Sequence, residues 1–525
     1  MDQLKIILFL CNWLPHSAFM TLQDSGADIP GEIKMIRIPC TGRINKSLLF
    51  KPFEMDADGV ALIGCKQGAC RYGSGTDTAV AHTNETRQIL EILGLSKKRL
   101  QFETFLPDDS EGLLDFLNTF VSDIKSLGPS PAARNEKAQA PEEKTLQEIV
   151  SYHDVYACQD CGKCTSACPL AISGKPFSPR ALASAIIGGD IYSQEVQNGV
   201  WACLTCGLCY DRCPSAVNFA GFIRDIRYVF KNKQITGIEN HGGFFQSLMR
   251  TMTSPLLEIK RWDLLSSTIE VDPKSKVLFF GGCAPYFDIF FSRHLGVKTS
   301  NTIYDSMRLL NFFDIKPAVL ENERCCGHDL LWAGDINNFK KLAEINLQMI
   351  ANKGIEEVIT NCPECFWTIS NDYPKHGYDL PFKITHMYDF LETEIGKGAI
   401  SFQDSAANLT YQDSCRLSRF DGKAELPRNL IHRLKPASFT EMQDSGGAAI
   451  CCGNTCWTGC DSYSKALQVK RLRQAKSTGS DVLLTSCPKC QVHLRCAMED
   501  PYLGDEIKME MMDLTSMIAK TIYWE

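Results

Sequence analysis

Short apolar runs alternate with helical periodicity over the first 125 residues. Lys5-Ile6-Ile7-Leu8-Phe9-Leu10, Met35-Ile36-Arg37-Ile38 and Val60-Ala61-Leu62-Ile63 read as strands, and apolar spacing predicts helices near 79–93 and 111–126. Such alternation predicts an α/β domain. Each of the three runs stops at a thiol: Cys11, Cys40 and Cys65. A parallel sheet would gather these at the carboxyl edge of its strands, where α/β folds bind their cofactors. Residues 128–144 (GPSPAARNEKAQAPEEK) carry no aromatic or β-branched residue. A linker is therefore expected at 128–145, leaving residues 1–127 to move or dock independently.

Residues 146–236 read as mainly helical, and 237–273 as a connecting helical segment. Beyond it, strands again lead into thiols. Lys276-Val277-Leu278-Phe279-Phe280 precedes Cys283, Val358-Ile359-Thr360 precedes Cys362, and Val482-Leu483-Leu484-Thr485 precedes Cys487. Cys283, Cys325-Cys326-Gly327 and Cys362-Pro363-Glu364-Cys365 recur as Cys415, Cys451-Cys452-Gly453 and Cys487-Pro488-Lys489-Cys490. The three parts stand 42 and 36 positions apart in the first copy, and 36 and 35 in the second. This is a duplication, with copies at 274–400 and 401–525, each expected to be an α/β half opening its loops toward a metal site. The fold class is α/β and α multi-domain: an N-terminal α/β domain, a helical middle domain and a C-terminal pair of α/β cysteine-rich repeats.

The length suits about three to four domains. With 25 cysteines in 525 residues, the chain is too long for a disulfide scaffold. The run Leu4 to Leu10 has one flanking charge and no small-residue cleavage site, so no signal peptide is expected. The thiols read as ligands in a reducing cytoplasm. No apolar run approaches the roughly 18 residues of a membrane span. A net charge of −7 lacks the basic footprint of a nucleic-acid binder.

The middle domain carries Cys158-x2-Cys161-x2-Cys164-x3-Cys168-Pro169, then Cys203-x2-Cys206-x2-Cys209-x3-Cys213-Pro214. This is the spacing of a two-cluster bacterial ferredoxin, in which the fourth cysteine of each run serves the other cluster. One cubane 4Fe-4S cluster is assigned to Cys158, Cys161, Cys164 and Cys213, and a second to Cys203, Cys206, Cys209 and Cys168. Zinc sites have no need of a third cysteine at the same interval before Cys-Pro. In the N-terminal domain, Cys11, Cys40, Cys65 and Cys70 suit either a 2Fe-2S cluster or zinc, and spacing alone does not choose. The adjacent Cys-Cys pairs of the repeats are awkward for a tetrahedral zinc and natural for a multi-iron cluster.

Cys11-Asn12-Trp13, Cys40-Thr41-Gly42-Arg43 and Gly64-Cys65-Lys66-Gln67-Gly68-Ala69-Cys70-Arg71-Tyr72 resemble the delta subunit of methyl-viologen-reducing hydrogenase, a 2Fe-2S carrier. Leu14 and Arg71 stand where that family usually has Cys and His, so the ligand set rests on the four remaining thiols. The ferredoxin unit resembles the C subunit of heterodisulfide reductase, and the repeats resemble its catalytic B subunit; the two are fused in the D-type enzymes. The resemblance implies a noncubane 4Fe-4S cluster in each complete repeat, with bridging thiolates from the paired cysteines. One set would be Cys283, Cys325, Cys326, Cys362 and Cys365, the other Cys415, Cys451, Cys452, Cys487 and Cys490. Both sets are complete, whereas relatives acting on lactate or glycerol phosphate often lack cysteines in one copy.

No GxGxxG after a strand, Walker A loop or Ser/His/Asp motif is present, so no flavin or nucleotide is expected in this chain. Cys456, Cys460 and Cys496 read as small buried apolar residues, with Cys456 and Cys460 near enough in sequence to line the second repeat's site. His328 and His386 lie near cluster loops, as structural histidines or as proton donors for thiol release. The resemblance implies an iron-sulfur oxidoreductase subunit of a heterodisulfide-reductase-like complex. It would pass electrons between a flavin-containing A-type subunit and a noncubane disulfide-reducing site, with a hydrogenase or dehydrogenase as a further expected partner. The alternative is an electron relay without catalysis, serving another dehydrogenase or reductase.

Overall fold

The computed structural model describes residues 4–132, 145–266, 268–398, 400–403 and 405–524. Most of the expected linker, 133–144, lies outside the described residues. The chain forms two compact units, Met1–Gln139 with His241–Asp263 and Ala140–Asn240 with Leu264–Glu525.

In the first unit β1 (Ile6–Cys11), β2 (Ile33–Ile38), β3 (Gly59–Gly64) and β4 (Leu100–Thr104) form a parallel sheet in the order β2-β1-β3-β4. Every residue of β3 is buried, as a central parallel strand with covered faces requires. Ile6, Leu8 and Leu10 share a core with Leu113, Leu117 and Ile124 of the helix Ser110–Leu127. The predicted helix near 79–93 begins earlier, at Gly75. From the segment expected only to connect domains, the helix Phe244–Thr251 packs on the helix Lys46–Glu54. Phe244 meets Phe50 at 5.3 Å, and Arg250 Nε donates to Glu54 Oε1 at 2.6 Å.

The second unit holds the short helices of the ferredoxin-like region and two further parallel sheets. In the first repeat β5 (Val277–Phe280), β6 (Glu357–Thr360) and β7 (Lys383–His386) lie in that order, with Phe280 level with Thr360 and Thr360 with His386. In the second, β8 (Ser405–Gln412), β9 (Pro436–Phe439), β10 (Val482–Thr485) and β11 (Glu510–Asp513) run β11-β10-β8-β9. The carboxyl ends of β5 and β6, and of β8 and β10, lead directly into thiols of the two repeats, so parallel pairing collects thiols distant in sequence at one edge.

The ferredoxin region and the second repeat share one apolar core. It runs through Leu170, Val200, Phe222 and Ile226 into Leu467, Leu472 and Leu494, and includes Cys168, Cys203, Cys206, Cys451, Cys452, Cys487 and Cys490.

Candidate metal centres

The N-terminal thiols close on the point where the strand order reverses, between β1 and β3. Cys11 ends β1, Cys65 follows β3, and their sulfurs lie 3.7 Å apart; Cys40 and Cys70 Sγ lie 3.9 Å apart. Burial raises the Cys11 thiol to about 11 and also raises Cys40. The backbone is cut to fit the sulfurs. A Cβ at Gly75 would lie 2.7 Å from Cys40 Sγ and 2.8 Å from Cys70 Sγ, and one at Gly42 only 2.6 Å from Gly75 Cα. Arg71, at a position where the resembled family has His, places its guanidinium 4.0 Å over the Trp13 ring. It packs on the site's rim instead of supplying a ligand atom.

In the ferredoxin region Cys168, Cys203, Cys206 and Cys209 line one cavity with Pro169, Phe177 and Phe219. Burial raises Cys168 to about 12 and Cys203 to about 11, and Cys168 also feels Cys206 and Cys203. The remaining four are nearer the surface. Cys158 and Cys161 are exposed, while Cys164 and Cys213 are half-buried. Arg180, paired with Asp160, lies in the field of both Cys158 and Cys164.

Each repeat gathers five thiols in the same pattern. In the first, Cys283 and Cys325 Sγ stand 3.2 Å apart, and Cys326 is hydrogen-bonded to both Cys325 and Cys365. Those two bonds lower Cys326, while Cys365 is raised by its bonds to Cys326 and Cys362 and by burial. In the second, bonds from Cys451 and Cys490 lower Cys452, and Cys415 is raised by Cys451 and by burial. Gly327 (φ +86°) and Gly453 (φ +98°) turn the chain after each pair, and a Cβ would lie 2.8 Å from Phe339 Cδ2 or 2.6 Å from the Ser464 carbonyl oxygen. The close thiol groups of the N-terminal domain and of the two repeats, with Gly75 leaving room at two of the sulfurs, suit iron-sulfur clusters sterically; loading them displaces protons from the raised thiols.

Three arginines outside the cysteine motifs, and Lys489 from within Cys487-Pro488-Lys489-Cys490, join these groups. Arg419 donates to the carbonyls of Cys206 (2.8 Å) and Ala449 (2.7 Å), and lies in the field of Cys206, Cys415 and Cys451. Arg227, fully buried, donates to the carbonyls of Cys203 (2.6 Å), Val200 (3.1 Å) and Trp332 (2.8 Å). Arg416 spans the ferredoxin loop and the first repeat, donating to Thr205 O at 2.8 Å and His328 Nε2 at 3.0 Å. An arginine cannot accept, so His328 presents Nε2 as acceptor and donates Nδ1–H to Asp329 Oδ1 at 2.8 Å. Lys489 Nζ contacts Asp329 and lies 2.8 Å from Glu364 Oε2. His328, Asp329, Glu364 and Lys489 line a cavity with Cys283, Cys325, Cys326, Cys362 and Cys365. Cys487, although its bond to Cys490 opposes, is raised to about 11 by burial, Glu364 and Cys362, so the two repeats lie within each other's field. His493 Nδ1 meets Cys452 Sγ at 3.3 Å, and burial lowers its pKa to about 3.

His386 is structural. It caps the helix Met387–Gly396 by accepting from Tyr388 N–H, and burial holds it neutral with a pKa of about 3. Cys456 is buried, but at φ +40° in a turn, where its sulfur accepts from Arg227 Nη1 at 3.4 Å. Cys460, expected as a buried residue, is exposed, because the turn through Gly459 (φ +69°) carries it outward. Cys496 is half-buried, with Lys465 Nζ 3.3 Å from its sulfur. Among the described residues no helix is long and apolar enough to cross a membrane.

Three family descriptions match successive parts of the chain: "Methyl-viologen-reducing hydrogenase, delta subunit" at 6–128, "4Fe-4S dicluster domain" at 154–217, and "Cysteine-rich domain" at 277–370 and 409–495. The D subunit of dihydromethanophenazine:CoB--CoM heterodisulfide reductase from Methanosarcina acetivorans is 29% identical over 71% of this chain and 95% of its own length. Its counterpart from Methanosarcina barkeri is 27% identical over 71% of this chain and 95% of its own length. The B subunit of fumarate reductase (CoM/CoB) from Methanothermobacter marburgensis is 26% identical over 69% of this chain and 71% of its own length. The chain therefore joins, in order, a domain of the hydrogenase delta type, a 4Fe-4S dicluster domain and a pair of cysteine-rich domains, and its relatives include D-type heterodisulfide reductase chains.

Proposed function

We propose that this chain is the iron-sulfur electron-transfer and catalytic subunit of a heterodisulfide-reductase-like complex. The ligand sets are those assigned from the sequence: four thiols for a 2Fe-2S cluster, eight for two cubanes, and ten for two noncubane clusters. When bound, such clusters supply one-electron storage and transfer. The protein's part is to hold the thiols of each set together and to bury most of those in the two repeats. The observation carrying the reading is the junction at Arg419, where Cys206 of the ferredoxin region and Cys451 of the second repeat lie in one electrostatic neighbourhood. From there Cys487 lies in the field of Cys362 of the first repeat, whose cavity offers all five of its thiols.

Electrons are expected to be exchanged with a flavin-containing partner at the N-terminal and ferredoxin ends, where Cys70 is half-buried and Cys158 and Cys161 are exposed. At the far end, reduction of a disulfide consumes two electrons and two protons and yields two thiols. The test is anaerobic purification with iron and acid-labile sulfide counts, followed by disulfide turnover with an artificial donor. Iron and sulfide for five clusters with turnover supports the reading. Zinc, or iron too scarce for five clusters, overturns the cluster assignment; full clusters without turnover of any disulfide favour the relay.

A further inference from the structure

Glu364 and Lys489 hold the same place in the two repeats, the third residue of Cys-Pro-x-Cys, and their side chains meet at 2.8 Å. When equivalent positions of a duplicated domain face each other, an identical charged residue would oppose its own copy. The two copies instead carry opposite signs. Each lies between the cysteines of its own motif, Cys362 and Cys365 or Cys487 and Cys490. Lys489 also holds Asp329, and the side chains of Lys489, Asp329 and Glu364 are 5%, 10% and 15% exposed. A charge so placed is poorly screened by water and acts on both thiol sets.

We propose that Lys489 is a positioning residue for charge: a fixed internal cation, opposed by Glu364, that sets the reduction potentials of the groups held by both five-cysteine sets. This rests on the reading of those cysteines as ligands of two redox clusters. Every electron accepted there adds negative charge, so a nearby fixed cation stabilises the reduced form and a nearby carboxylate destabilises it. The mechanism requires no change of protonation in Lys489, whose ammonium is held by two carboxylates.

The test uses the full chain, reconstituted anaerobically, with iron and sulfide counts and a redox titration followed by electron paramagnetic resonance. Lys489→Met is expected to move the midpoint potentials of the C-terminal clusters downward, Glu364→Gln upward, and the double variant back toward the parent value. Loss of a purely structural contact would not produce shifts of opposite sign that cancel. Should Lys489→Met fail to fold, Glu364→Gln decides alone: an upward shift supports the proposal, and an unmoved potential overturns it. Full clusters whose potentials stay put or move in the same direction in both single variants overturn the role of Lys489 while leaving the cluster reading intact. A parent chain without C-terminal clusters overturns both.

Discussion

Gly75→Ala separates metal holding from fold stability, because the two should change in opposite directions. Gly75 is the first residue of the helix Gly75–Ile92, and its missing side chain makes room for two sulfurs. A methyl group there would sit 2.7 Å from Cys40 Sγ and 2.8 Å from Cys70 Sγ. Ordinary contacts of this kind are about 3.5–4.0 Å, so each sulfur is overlapped by roughly 1 Å. Overpacking of this degree costs about 1–3 kcal/mol. If the sulfurs yield, that cost falls on the metal site, weakening it about 5- to 150-fold at 1.4 kcal/mol per tenfold. The metal-free chain faces no such demand, since its thiols can rotate away, and replacing glycine by alanine, which gains roughly 0.5–1 kcal/mol in a helix interior, gains a part of that at the first helical position. The measurement is iron and sulfide retained against a chelator, with Cys11→Ser defining the N-terminal share and Gly31→Ala, where nothing lies within 4 Å, as control. Thermal unfolding of the metal-free chain completes the comparison. Retention equal to the parent and the Gly31→Ala control would refute the cradle.

Further outcomes follow from the second unit. Gly327→Ala and Gly453→Ala force a side chain into the left-handed region and into its neighbours, and each should lose about 2–4 kcal/mol in denaturant unfolding together with cluster content in its own repeat. Arg227→Met leaves the carbonyls of Val200, Cys203 and Trp332 without their buried donor. Its expected cost is about 3 kcal/mol or more, read as a lowered unfolding midpoint. His386 is held neutral to about pH 3, whereas the unfolded chain protonates it at the ordinary 6.5. The unfolded state thus binds more protons throughout that window, and stability must fall on acidification. At pH 5 the contribution is about 2 kcal/mol, and His386→Asn, which can keep the helix cap, should flatten that part of the pH profile.

The thiol groups were legible because period and spacing survive in one dimension. Cys11, Cys40 and Cys65 end apolar runs, and parallel pairing brings such ends to one edge. Cys-Cys-Gly announced a sharp turn after each pair, and both glycines have positive φ. What could not be read was the company the thiols keep. Arg227, Arg416 and Arg419 look like ordinary helix or loop cations in sequence; only tertiary packing takes them out of water and turns their donors onto carbonyls of another domain. The sign inversion from Cys-Pro-Glu-Cys to Cys-Pro-Lys-Cys was a visible clue to contact between the repeats. His386 lay near β7 in sequence, but nothing there distinguishes a helix cap from a proton donor. The helix Phe244–Thr251 was expected merely to connect, because its partner Phe50 is almost two hundred positions away.

The apolar core common to the ferredoxin region and the second repeat has a consequence for how the molecule handles charge. Redox proteins that meet by diffusion must find each other anew at every turnover, and their rates depend on ionic strength. Here Cys168, Cys203 and Cys206 of the ferredoxin region and Cys451, Cys452, Cys487 and Cys490 of the second repeat are set in one block of packed side chains, which transmits strain and admits little movement. The distance over which an electron would pass is thereby a property of the fold, as insensitive to salt and concentration as the core itself, and it persists only while both regions stay folded together.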